Sequence, residues 1–137
     1  MNRISLVVVS LGILVVLSLV AGCAKPPPTN QTPGGATFGS MSQSGQAVFA
    51  SNCARCHGAN GEGKTGPALI GVNASIDKYN TGKGLLDYIS TAMPLNAPGS
   101  LSHQDYLEIL SFLLVQNDFA APTTAFEENA LPGLQLK

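Results

Sequence analysis

Two cysteines three positions apart, followed at once by a histidine, constrain this chain more than any other stretch: Cys53-Ala54-Arg55-Cys56-His57. On one helical turn the two sulfurs point the same way, so each can add across one vinyl group of a haem and form a thioether. The imidazole of His57 then sits beneath the porphyrin, where it can ligate the iron axially. Rival chemistries run short of ligands. A structural zinc site wants four N or S donors, and beyond Cys23 the chain offers only Cys53, Cys56, His57 and the distant His103. An iron–sulfur cluster wants more cysteines. A thioredoxin-like CxxC needs a βαβ context, and no alternating strand pattern is present. The motif therefore predicts one covalently held haem c with its iron.

The third cysteine argues against a simple disulfide framework. It closes an N-terminal stretch with a positive start at Asn2-Arg3, an apolar run from Ile4 to Val20, and the sequence Val20-Ala21-Gly22-Cys23. That layout is a signal peptide, and small residues before a cysteine resemble a bacterial lipobox. Residues 1–22 are expected to be removed and Cys23 to be lipidated. An uncleaved membrane anchor is the alternative, because the run is nearly long enough to span. Either way the remainder stands outside the cytoplasmic membrane, with Arg3 inside. Covalent haem attachment fits that compartment.

The chain has 137 residues, 45% of them hydrophobic, and much of that content lies at the N-terminus. What remains is one domain with a thin core unless an apolar body is added to it. Seven basic and eight acidic residues give a net charge of −1. Without Arg3 the balance is six against eight, or −2, which gives no support to nucleic-acid binding. Residues 23–41 carry the lipidation cysteine and then Pro, Gly, Thr and Ser, the composition of a flexible linker with a reach of roughly 25 Å. Phe38 within it reads as an ordinary exposed aromatic.

The globular domain is expected over 42–120. A first helix is predicted from about Gln43 to Ala54, capped by Ser42 or Ser44, with Gly45 and Phe49 on one face. After His57, four glycines between Gly58 and Gly66 make a loop able to lie against a flat cofactor. It is not a phosphate loop, because the spacing is incomplete and no strand precedes it. The carbonyl of Pro67 can accept a hydrogen bond from the free ring nitrogen of His57 and fix its tautomer. Residues 70–84 are weakly patterned. A short helix is predicted from about Leu85 to Ala92, stopping at Met93-Pro94, where the proline drives Met93 into an extended conformation. Met93 is then free to point into a pocket and is the leading second axial ligand. Met1 and Met41 fall in the signal and the linker, and His103 falls in the first turn of the next helix. That helix starts at Ser102, with Asp105 placed to complete a capping box. Its apolar residues cover more than half its circumference, so it should pack on two sides. Residues 121–137 read as an irregular tail.

In this order the motifs resemble the monohaem class I cytochromes c over about residues 44–118: Gly45…Val48-Phe49, Cys53–Gly58, Gly66-Pro67-Ala68-Leu69, Ala92-Met93-Pro94, and Ile109…Phe112-Leu113-Leu114. The resemblance implies an all-α, small cytochrome c fold whose N- and C-terminal helices cross around one haem. Gly45 and Phe49 would then lie against Ile109 and Phe112, Pro67 would serve His57, and Met93 would supply the sulfur. The Met93 region also looks like cytochrome domains that accompany quinoprotein and other periplasmic dehydrogenases. The function expected is electron transfer by a tethered, monomeric carrier that meets redox partner proteins and is not itself an enzyme. The alternatives are a subunit of a periplasmic dehydrogenase complex, or a haem-based ligand binder or peroxidase should Met93 not ligate.

Overall fold

The computed structural model describes residues 35–137. Signal residues 1–22, Cys23 and the linker up to residue 34 lie outside them. Helix α1 is Phe38–Asn52 and runs into the single turn α2, Ala54–His57. A 3-10 turn at Asp77–Tyr79 precedes α3, Gly82–Ala92, and α4 is His103–Gln116. A second 3-10 turn, Glu128–Gly133, lies in the tail. There is no strand among the described residues, only isolated bridges pairing Thr37 with Ala125 and Thr81 with Gln135. The all-α expectation holds.

The crossing of α1 with α4 is the frame of the fold. Gly45 makes it possible. A Cβ at that position would overlap the backbone carbonyl of Glu108 on α4, so the two helices touch through main chain. One turn further along, the rings of Phe49 and Phe112 meet at 5.2 Å between centroids, tilted by 48°. α4 also packs against α3. Its residues from Ile109 to Leu114 are all buried, which is why its apolar surface exceeds one stripe. The one polar member, Ser111, donates to the Leu107 carbonyl at 2.9 Å and leaves no orphan hydroxyl. The Ser102 and Asp105 side chains form the expected reciprocal cap.

Two helix starts differ from the sequence reading. α1 begins at Phe38 rather than Gln43, so residues 37–41 belong to the domain and not to the linker. Its cap is a Thr37–Ser40 box, not Ser42 or Ser44. Phe38 is buried, packed edge-on against Phe126 of the tail at 5.1 Å. That contact stabilises the first turn, and it depends on a residue far along the chain. α3 begins at Gly82, where Thr81 accepts from the Gly84 N–H at 3.1 Å. The tail, though irregular, is anchored. Leu131 and Leu136 have no exposed surface. The Leu134 carbonyl accepts from Gly82 and the Asn80 carbonyl from Leu136, at 2.8 and 2.9 Å.

Candidate haem site

α1 ends where the attachment motif begins. Cys53 caps α1, its amide donating to the Phe49 carbonyl at 2.8 Å, and the one-turn α2 restarts on it, with the Cys56 and His57 amides both donating to its carbonyl at 3.0 Å. Gly58, at φ 87°, stops that turn in a conformation that favours glycine. The glycine loop then folds back under the motif. Gly63 donates to the His57 carbonyl at 2.7 Å and Gly66 to the Cys56 carbonyl at 2.8 Å. Gly66 passes so close that a Cβ there would stand 2.9 Å from His57 Cε1. The loop thereby delivers the Pro67 carbonyl to within 2.8 Å of His57 Nδ1. A carbonyl only accepts, so Nδ1 carries the proton and Nε2 keeps its lone pair. His57 is buried, and its ring borders the adjoining cleft.

The opposite wall is built by the end of α3 and the segment after it. Met93 is extended, φ −123° and ψ 156°, and closes α3 by donating its N–H to Ile89. Between the walls lies a cleft of about 380 Å³, within the roughly 300–1,000 Å³ usual for cofactor sites. Cys53, Cys56, His57 and Met93 all line it. Its floor is Phe49, Ile89, Ile109 and Leu113, and no carboxylate among the described residues borders it. Burial, and secondarily the neighbouring Cys56 thiol, pushes the Cys53 thiol up to about 11, so it is protonated at neutral pH. A smaller lobe of about 90 Å³ also touches His57 and Met93 and carries polar groups from Ser75, Lys78, Tyr79 and Tyr88. The Tyr79 and Tyr88 rings lie 4.6 Å apart, and desolvation first, then the Tyr88 hydroxyl, raises the Tyr79 phenol. The residues fit a haem. The walls are apolar, two thiols stand at one side, an imidazole offers a free nitrogen, and a thioether stands in the same cleft.

His103 does not join them. It pairs with Glu128 on the exposed surface, Nε2 to both carboxylate oxygens at 3.1 Å. Sequence reasoning missed Tyr79 and Tyr88, which lie in or beside the weakly patterned stretch. It also missed Tyr106, whose hydroxyl donates to the Met93 carbonyl at 2.7 Å. In the sequence Tyr106 is only one apolar position among many on α4.

Comparison with known proteins agrees with this geometry. The family model described as "Cytochrome C oxidase, cbb3-type, subunit III" matches residues 40–113. A thiosulfate dehydrogenase from Psychrobacter arcticus is 34% identical over 77 residues, which cover 50% of this chain and 24% of that protein. The crystal structure of the sulfane dehydrogenase SoxCD from Paracoccus pantotrophus superposes with a TM-score of 0.60 at 27% identity, covering 74% of this chain and 53% of that one. The chain thus spans about a quarter and about half of these relatives. The expectation that it is not an enzyme is corrected by their names. Both relatives are dehydrogenases, so a domain of this kind occurs within redox enzymes.

Proposed function

As the chain belongs to the cytochrome c family described as cytochrome c oxidase, cbb3-type, subunit III, and so carries haem c with its iron, we propose that it is the electron-transfer module of a dehydrogenase acting on reduced sulfur compounds outside the cytoplasmic membrane. The observation that carries the electron-transfer part is the pairing of His57 and Met93 across an apolar cleft that also holds both thiols. Bound there, haem iron supplies reversible one-electron chemistry. The chain's residues do the rest. Cys53 and Cys56 would hold the porphyrin by thioethers. His57 offers Nε2 to the iron, its ring steadied by the Pro67 carbonyl. Met93 offers its thioether, a soft ligand that raises the reduction potential relative to a second histidine. The apolar walls exclude water and favour the less charged ferrous state. With His57 and Met93 both holding the iron, the module would pass electrons without binding a substrate at the metal.

The donor assignment rests on the two sulfur-compound dehydrogenases among the relatives. Tethering rests on Val20-Ala21-Gly22-Cys23. Lipid at Cys23 would keep the module near its partners and replace free diffusion by a high local concentration.

Two measurements test this. Met93→Ala should keep covalent haem but open the ferrous iron to carbon monoxide, whereas the unmutated protein binds it slowly; equal binding by both would remove Met93 as a ligand. Membranes from the native host should reduce the haem on addition of thiosulfate or a sulfane donor. Reduction only by other donors would move the chain to another electron pathway, such as delivery to a terminal oxidase.

A further inference from the structure

The segment that carries Met93 leaves α3, runs through Pro94, Leu95 and Asn96 along the cleft, and returns at Leu101 just before α4. Its middle is loosely held, and Leu95 is 77% exposed. Within it the Pro94 carbonyl accepts from Ala97 at 2.8 Å, and the Ala97 carbonyl accepts from Ser100 at 3.3 Å. Its two ends are joined by one side chain. The Tyr106 hydroxyl donates to the Met93 carbonyl at 2.7 Å and accepts from the Leu101 N–H at 3.4 Å. Tyr106 is itself buried on the first turn of α4, between the α4 cap and the cleft. The Met93 carbonyl has one further donor, Gly99 at 3.2 Å.

We propose that Tyr106 is the latch of the Met93 loop: a positioning residue whose hydroxyl fastens both ends of residues 93–101 to α4 and so governs how readily Met93 leaves the iron. This rests on the reading of Met93 as the second axial ligand. The physical argument is that Met93 has no rigid element of its own. It is the extended residue that caps α3, its amide held by one bond to Ile89 at 3.2 Å, and no helix follows it until α4. A thioether is a weak ligand, so its occupancy of the iron depends on how little freedom the loop has. The hydroxyl removes that freedom at both ends with one group already fixed by burial.

The test is the carbon monoxide association rate of the ferrous holoprotein in three forms: unmutated, Met93→Ala and Tyr106→Phe. Phenylalanine keeps the ring in place and deletes only the hydroxyl. A buried hydrogen bond contributes enough to shift the open fraction of the loop on the order of tenfold. Tyr106→Phe should therefore bind carbon monoxide on the order of tenfold faster than the unmutated protein, toward the Met93→Ala rate, and its ferric charge-transfer band for iron–thioether bonding should weaken. A residue that merely packs would lower the unfolding midpoint and leave the rate and the band unmoved; that result overturns the latch while Met93 stands. If the unmutated protein already matches Met93→Ala, the Met93 reading falls and the latch with it. Should Tyr106→Phe not accumulate, amide exchange in the unmutated holoprotein decides. The Leu101 and Gly99 amides should be protected, and free exchange at both would overturn the latch.

Discussion

Gly45→Ala sets two familiar effects against each other, and their magnitudes decide the sign. On a helix considered alone, replacing an interior glycine by alanine stabilises by about 1 kcal/mol. Gly45 lies well inside α1, so the helix would gain this much. The structure opposes it. The new methyl would overlap the Glu108 carbonyl oxygen, the Glu108 carbonyl carbon and the Ile109 amide, all of them backbone of α4. No side chain can swing aside, so the helices must part. Overpacking of that kind costs about 1–3 kcal/mol, and backbone on both sides places this case at the upper end, near 3 kcal/mol. The net loss is about 2 kcal/mol, which for a domain of this size lowers the melting temperature by roughly 10 °C. Thermal unfolding of the holoprotein, followed in the helical circular dichroism band with one haem per chain confirmed, measures it. Ser44→Ala, at an exposed neighbouring position, is the control and should change little. An unchanged or raised melting temperature in Gly45→Ala would refute the close backbone crossing.

Other outcomes follow from the tail, the glycine loop and the N-terminus. Leu131 is fully buried against the N-terminal end of α3. Leu131→Ala should cost about 3 kcal/mol in chemical denaturation, and a loss below the noise would show the tail to be dispensable. The backbone N–H groups of Glu62 itself, of Asn60, which donates to the carboxylate at 2.8 Å, and of Ala59 hold the Glu62 pKa below the ordinary range. A depressed folded pKa stabilises above the unfolded value and is lost as pH falls through the folded one. Glu62→Gln should therefore lower stability at neutral pH and converge with the unmutated protein as pH falls well below about 4.5; a difference that persists undiminished at the acid end would contradict it. Cys23→Ala should abolish incorporation of labelled lipid; persistent labelling would dispose of the lipobox.

The site was more legible in the sequence than its surroundings, for a physical reason. Cys53, Cys56 and His57 are spaced to meet one small rigid molecule, and such a spacing is set by that molecule's geometry rather than by the surrounding fold. Gly66-Pro67 is nearly as legible, because only glycine can pass the His57 ring at that distance. Pro94 likewise dictates the backbone of Met93 from next door. The start of α1 was hidden because Phe38 owes its burial to Phe126. The Tyr106 hydroxyl was hidden because periodicity records that a position is apolar and says nothing about where one polar atom at its tip arrives. The leucines of the tail lack any period, since Leu131 and Leu136 are buried along an irregular path.

The pairing of the tail with the start of α1 has a mechanical meaning. A load applied along the N-terminal chain enters the domain at Ala36. There the Ala36 carbonyl accepts from Phe126 at 2.8 Å, and Phe38 and Gly39 donate to Thr124 and Pro122 at 3.0 and 2.8 Å. These bonds share tension between two strands of backbone before it reaches any helix. The cysteines stand at the far end of α1, 15 residues away and so about 22 Å along the axis. Any such load is thus taken up at one pole of the domain, while the cleft lined by Cys53, Cys56, His57 and Met93 lies toward the other.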